Sequence, residues 1–182
     1  MDINKTIDYP YLPEGKKILF VPPENVWMNE AKKMADANSA CSWWPTGAVV
    51  VKNNEIIGRG ANSGNFQPLC PRVEHNCPTG EGYHFCNALC SQDGHSEVTS
   101  IMYAIKNGND PTGADLYLFG HWWCCKNCWD AIIKNGIANV YLLENAHLFF
   151  VREKRLALMD EVKNKIQQGK SVSREEIIWI IE

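Results

Sequence analysis

A chain of 182 residues, 45% hydrophobic and 21% charged, is long enough for one domain with a sizeable core and excludes a disordered chain. Its formal net charge of −3 excludes a basic footprint for non-specific nucleic-acid binding, although a pocket needs only one or two cations to hold a nucleotide phosphate. The apolar run ILFV after Lys16 and Lys17 is cut by Pro22 and Pro23, too short for a signal segment or a membrane span, so no membrane partner is expected and a cytoplasmic location is.

Residues 1–23 carry Pro10, Pro13, Pro22 and Pro23 and are expected to form an irregular arm. From Glu24 to Asn38 the spacing of Trp27, Ala31, Met34 and Asn38 predicts a helix with a mainly apolar stripe. TGAVVVK and EIIGRGAN flank Asn53-Asn54, a pair that tolerates the left-handed backbone of a two-residue turn, and predict a β-hairpin. Residues 62–94 form a long connection, and a connection of that length is usually functional or tied down. Helical spacing returns from His95 to Lys106 through Val98, Ile101, Met102 and Ile105, and Asn107-Gly108 ends it.

ADLYLFG reads as a buried strand, CKNCWDAIIKNG as a helix stopped by Gly136, and IANVYLLE as another strand. Arg152 to Gln168 is helical, and SREEIIWIIE suits a short closing helix capped by Ser173. No repeat or low-complexity tract divides the chain, so residues 1–182 read as a single domain. Strands alternating with helices after a hairpin predict a three-layer α/β/α sandwich with a mixed sheet. In that arrangement the helices beginning near 95 and 125 open on the same sheet edge.

In a reducing compartment eight cysteines read as metal ligands or buried thiols rather than disulfides. Seven of them fall between Cys70 and Cys128, a crowding that a core does not require. Cys125-x-x-Cys128 at a helix start puts two thiols on one turn near the positive helix end, which favours thiolate. His95 adds a third ligand, the number typical of a catalytic zinc with one open position. Glu97, two residues after His95, is placed to reach water and substrate without joining the metal. Separately these residues read as a surface cap, a solvated carboxylate and buried thiols; together they read as a metal site with a proton carrier.

His-x-Glu with a later Cys-x-x-Cys is the motif pair of zinc nucleobase deaminases. Over residues 24–145 the chain resembles the cytidine and deoxycytidylate deaminase superfamily: TGAVVVKNNEIIGRGAN is similar to its first hairpin, HSE to its histidine-glutamate motif and CCKNC to its paired-cysteine motif. The family commonly has proline where this chain has Cys124, which leaves Cys124 as a competitor to Cys125 for the metal. Family spacing favours Cys125 and Cys128. GRGANSG is similar to the element whose asparagine binds the sugar, which implies that role for Asn62.

The insertion holds Cys70, Cys77, Cys86 and Cys90, a set able to close around a structural zinc, with His75 competing against Cys77 and plain buried thiols as the alternative. Some deoxycytidylate deaminases carry an extra structural zinc in this region. The long insertion is more like the deoxycytidylate branch than the tRNA-editing one, and Arg72 and Tyr83 within it are candidate contacts for phosphate or base. The resemblance implies a homo-oligomer converting the nucleotide dCMP and water to dUMP and ammonia. In it a zinc-activated water attacks C4 of cytosine while Glu97 carries protons to ring N3 and the departing amine. The alternatives are a deaminase of cytidine, dCTP, cytosine, guanine or tRNA adenosine, or a catalytically silent zinc module, against which Glu97 argues.

Overall fold

The computed structural model describes residues 7–78, 81–86 and 94–177. Its sheet has five strands: β1 (Ile18–Val21), β2 (Gly47–Lys52), β3 (Glu55–Ala61), β4 (Asp115–Phe119) and β5 (Asn139–Leu143), ordered β1-β5-β4-β2-β3. β1, β5 and β4 run parallel, whereas β4–β2 and β2–β3 pair antiparallel, so the sheet is mixed as expected. The hairpin turns at Asn53 (φ 53°) and Asn54 (φ 62°), both in the left-handed region.

The proline-rich arm is not irregular throughout. Ile18–Val21 pairs with Val140–Leu143 as the edge strand β1, and Pro22 and Pro23 end this strand rather than prevent it. Four β-branched or aromatic and aliphatic residues beside an apolar partner strand outweigh the nearby prolines.

Helix α1 (Val26–Asn38) covers one sheet face, with Asn25 capping it through hydrogen bonds from the Trp27 and Met28 amides. Its buried stripe is Met28, Ala31 and Ala35, which keeps Ala31 of the expected Trp27–Ala31–Met34–Asn38 line, while Trp27 and Met34 are half-buried and Asn38 is exposed. Small residues are what this face requires, because Gly47 of β2 lies directly against the backbone at Ala31 and Ala35.

Helix α3 (Ser96–Lys106) covers the opposite face. A Cβ at Gly58 or Gly60 of β3 would collide with backbone at Ser96 and Ser100, so α3 rests on bare strand backbone with only small side chains between. That close seating fixes the height of the α3 N-terminus above the sheet. Helix α4 (Lys126–Lys134) packs beside α3. The three-layer α/β/α sandwich expected from the sequence is the observed architecture.

Within residues 62–94 the described segments hold a short helix α2 (Pro71–Glu74) and a 3-10 turn at Tyr83–Phe85. After β5 come α5 (Ala146–Phe149) and α6 (Arg152–Gln167). The expected closing helix lies partly outside the described residues. Its described part is a turn in which the Ser173 amide donates to the Glu176 carboxylate at 2.8 Å. Met159 and Val162 of α6 cluster with Ile177 and pack against Phe66 and Val73, which ties the C-terminal helix to the insertion.

Candidate active site

His95 is the N-cap residue of α3 and Cys125 the N-cap residue of α4, and neither side chain caps its own helix. Both are therefore left to face the point where the two helix starts converge. Cys128 reaches the same point from the first turn of α4. His95 Nδ1 stands 3.6 Å from Cys125 Sγ and 3.4 Å from Cys128 Sγ. One ligand atom from each of the three lies within 4.8 Å of the others, the only such trio among the described residues.

The electrostatics match a cation site. Hydrogen bonding from Cys128, then from His95, pulls the Cys125 thiol down to about 4 despite its burial. Hydrogen bonding to Cys125 raises His95 to about 9 against the opposing effect of burial. Cys128, donor to the Cys125 sulfur, is pushed far up. Protons thus hold together a set of soft donors that a divalent ion can hold in their place, and one nitrogen with two sulfurs suits Zn²⁺.

Glu97 is 6% exposed, and Ser96 Oγ donates to its Oε2 at 3.2 Å. Cys124 does not join the trio. It is fully buried in the main core cluster with Phe119 and Trp129, and that burial, followed by the charge of Glu97, pushes its thiol well above the ordinary range.

One cavity of about 390 Å³ is lined by His95, Cys125, Glu97, Asn62, Arg72 and Tyr83, within the range of about 300–1,000 Å³ usual for small-molecule sites. The structure thus brings His95 and Cys125, with Cys128 beside them, to one cavity together with Glu97, Asn62, Arg72 and Tyr83. Asn62 is held at the wall: Thr46 Oγ1 donates to its Oδ1, and its Nδ2 donates to the Trp44 carbonyl at 3.0 Å. Arg72 is 7% exposed and its guanidinium lies between the rings of Trp43 (4.9 Å) and Tyr83 (4.3 Å). Its Nε has no hydrogen-bond partner, and no carboxylate pairs with it among the described residues.

Sequence reasoning missed most of the remaining wall: Trp43, Trp44, Trp123 and His121. A signal was present, since the two Trp-Trp pairs at 43–44 and 122–123 hold four of the seven tryptophans, and both border this cavity.

The insertion cysteines do not assemble as expected. Cys70 and Cys86 approach to 3.9 Å, but Cys77 lies apart, packed under Gly82, and the His75 ring stacks on Phe85 at 4.1 Å. Cys90 lies outside the described residues. Among the described residues the third buried thiol beside Cys70 and Cys86 is Cys41, contributed by the loop after α1, which cysteine spacing within the insertion could not indicate.

A family model, the cytidine and deoxycytidylate deaminase zinc-binding region, matches residues 23–144, more than half of the chain. The chain belongs to this family. The family's zinc-binding region and the His95, Cys125 and Cys128 cluster together fit a Zn²⁺ cofactor.

Among solved structures, dCMP deaminase from the cyanophage S-TIM5 is 20% identical, with 78% of this chain and 94% of that one covered and a TM-score of 0.48. Guanine deaminase from Bacillus subtilis is also 20% identical, covering 87% and 84% with a TM-score of 0.43. The diaminohydroxyphosphoribosylaminopyrimidine deaminase/5-amino-6-(5-phosphoribosylamino)uracil reductase from Thermotoga maritima is 21% identical, covering 79% and 41% with a TM-score of 0.41. No protein of curated function matches the chain. Among the described residues no helix is long and apolar enough to cross a membrane.

Proposed function

We propose that this zinc-type deaminase hydrolyses dCMP to dUMP and ammonia, acting as a cytoplasmic homo-oligomer. The observation that carries the reading is the shared cavity, where His95 and Cys125 of the metal trio and Glu97 meet a buried guanidinium that no carboxylate pairs with among the described residues. His95, Cys125 and Cys128 hold the zinc, which supplies the Lewis acidity that makes water nucleophilic at neutral pH. Glu97 takes a proton from water, delivers one to ring N3, and serves the leaving amine. The tryptophan walls exclude bulk water and stack against the base. Asn62, fixed by Thr46 and the Trp44 carbonyl, presents its remaining amide hydrogen and lone pair to the sugar.

Arg72 is read as the phosphate contact. A guanidinium removed from water and lacking a carboxylate partner is costly, and an anionic ligand offsets that cost. A substrate panel followed by ammonia release tests both substrate and subsite. dCMP should exceed deoxycytidine, cytosine and guanine in kcat/KM. Arg72→Gln should then lower dCMP turnover by about 10- to 100-fold, the worth of a charge-assisted hydrogen bond, and leave deoxycytidine nearly unchanged. Equal use of dCMP and deoxycytidine by the wild type would remove the phosphate from the reading.

The reading extends to a second, structural zinc at Cys70 and Cys86. Arg155, completely buried, donates to the Ser42 and Trp43 carbonyls and lies beside Cys41 and Cys70, while burial and the neighbouring thiols push the Cys70 thiol up, so these sulfurs are neutral until a cation draws off their protons. Metal analysis should give about two zinc ions per chain, and the double substitution Cys70→Ser, Cys86→Ser should remove one of them. A wild-type ratio of one would make these residues plain buried thiols.

A further inference from the structure

His121 lines the same cavity as Glu97 and His95, and the proposed reaction gives it no role. β4 ends at Phe119, and Gly120, at φ +89°, turns the chain where a Cβ would strike the Pro45 carbonyl. That turn delivers the His121 ring between Trp44, at 5.4 Å between centroids, and Trp123, at 5.6 Å and nearly perpendicular. The backbone amide of Trp122 donates to Nδ1 at 3.1 Å. Accepting there places the ring proton on Nε2, and no acceptor meets Nε2 among the described residues. Burial, reinforced by nearby His95, pushes this imidazole down to about 3, so it is neutral under ordinary conditions. The result is a clamped, uncharged ring with one unspent N–H at the cavity wall.

We propose that His121 Nε2–H donates a hydrogen bond to the O2 carbonyl of a bound 4-aminopyrimidin-2-one ring, which makes His121 a specificity-determining residue. The inference rests on reading the site as a cytosine-nucleotide deaminase. A cytosine ring on a sugar presents three polar atoms at its edge: the 4-amino group, N3 and O2. Glu97 serves the first two. O2 is an acceptor only, and it stays uncharged through the replacement of amine by carbonyl, so a neutral donor suits it better than a cation. Asn62 already spends an oxygen lone pair and one amide hydrogen on Thr46 and the Trp44 carbonyl, and Arg72 is occupied by the anion. A site that offers a buried donor discriminates against rings lacking the matching acceptor, because the donor is then left unpaired.

The test pairs a protein change with a substrate change, using zinc-loaded full-length protein. His121→Phe keeps an aromatic ring between Trp44 and Trp123 but removes the donor, and His121→Gln keeps an N–H at similar reach. dCMP is compared with 2-thio-dCMP, whose sulfur is a weak acceptor. The wild type should prefer dCMP by about tenfold in kcat/KM, the scale of one hydrogen bond in a dry site. His121→Phe should lose about tenfold on dCMP, show no preference between the two substrates, and bind the product dUMP correspondingly more weakly at unchanged zinc content. His121→Gln should recover most of the loss.

A His121→Phe enzyme that retains the oxygen-over-sulfur preference overturns the inference. So does a wild type that treats the two nucleotides alike, an outcome that needs no variant to fold. A wild type that turns over no 4-aminopyrimidin-2-one at all overturns the reading of the site beneath it, and this one with it.

Discussion

Glu97→Gln should leave fold and zinc content intact while turnover of dCMP falls by about 10²–10⁴-fold, the usual contribution of a positioned general acid–base group. Gln fills the same volume, and its amide oxygen can still accept from Ser96 Oγ, which holds Glu97 Oε2 at 3.2 Å. It cannot take up a proton. Glu97 stands outside the trio of metal-binding atoms, so its replacement has no direct route to metal loss. Its 6% exposure means that little bulk water is at hand to substitute for it. Ammonia release, zinc analysis and circular dichroism on the purified variant separate the outcomes, and near-wild-type turnover would take Glu97 out of the mechanism.

The parts of this site legible in the sequence are those whose chemistry demands rare residue types at fixed spacing. His95 and Glu97 lie two apart at one helix start and Cys125 and Cys128 three apart at another, so each pair is local and survives without knowledge of the fold. The hairpin was legible for the same reason, since Asn53 and Asn54 are the local solution to a left-handed turn. What the sequence concealed depends on segments distant along the chain. Cys41 reaches Cys70 and Cys86 only because the loop after α1 is tied back to Asn62, whose carbonyl accepts the Ala40 amide at 2.9 Å. His121 acquires its environment from Trp44, far away in sequence, and β1 becomes a strand because β5 offers an open edge. Propensity near Pro22 and Pro23 could not report that edge.

The displaced stripe of α1 has a similar origin. Sequence periodicity picks out Ala31 but joins it to the large Trp27 and Met34, whereas opposite Gly47 the helix backbone comes so close that Ala31 and Ala35 are what fits, with Met28 buried about one turn before them. The large residues remain half-buried at the margin. Size, rather than hydrophobicity, decides which helix face meets a glycine-bearing strand.

Cys125→Ser should abolish catalytic zinc binding, lowering metal content by about one ion per chain, while Cys124→Ala should retain it. The two neighbours differ in what surrounds them. Cys125 faces His95 Nδ1 at 3.6 Å, and its thiol is pulled down to about 4, so it offers a thiolate. Cys124 is fully buried against the core, and burial pushes its thiol the other way, so it offers a neutral sulfur, outside the trio of clustered ligand atoms. A thiolate is a zinc ligand and a neutral hydroxyl is a far poorer one, hence the expected loss in Cys125→Ser. Cys124→Ala removes one buried sulfur and should cost about 1 kcal/mol of stability through the small void it leaves. Cys124→Pro, which installs the residue common in the family, sacrifices no backbone hydrogen bond, because the Cys124 amide makes none among the described residues. Zinc content and dCMP turnover of the three variants decide the ligand. A zinc-free Cys124→Ala beside a loaded Cys125→Ser would transfer the ligand role to Cys124, and the family's spacing would then no longer describe this metal site.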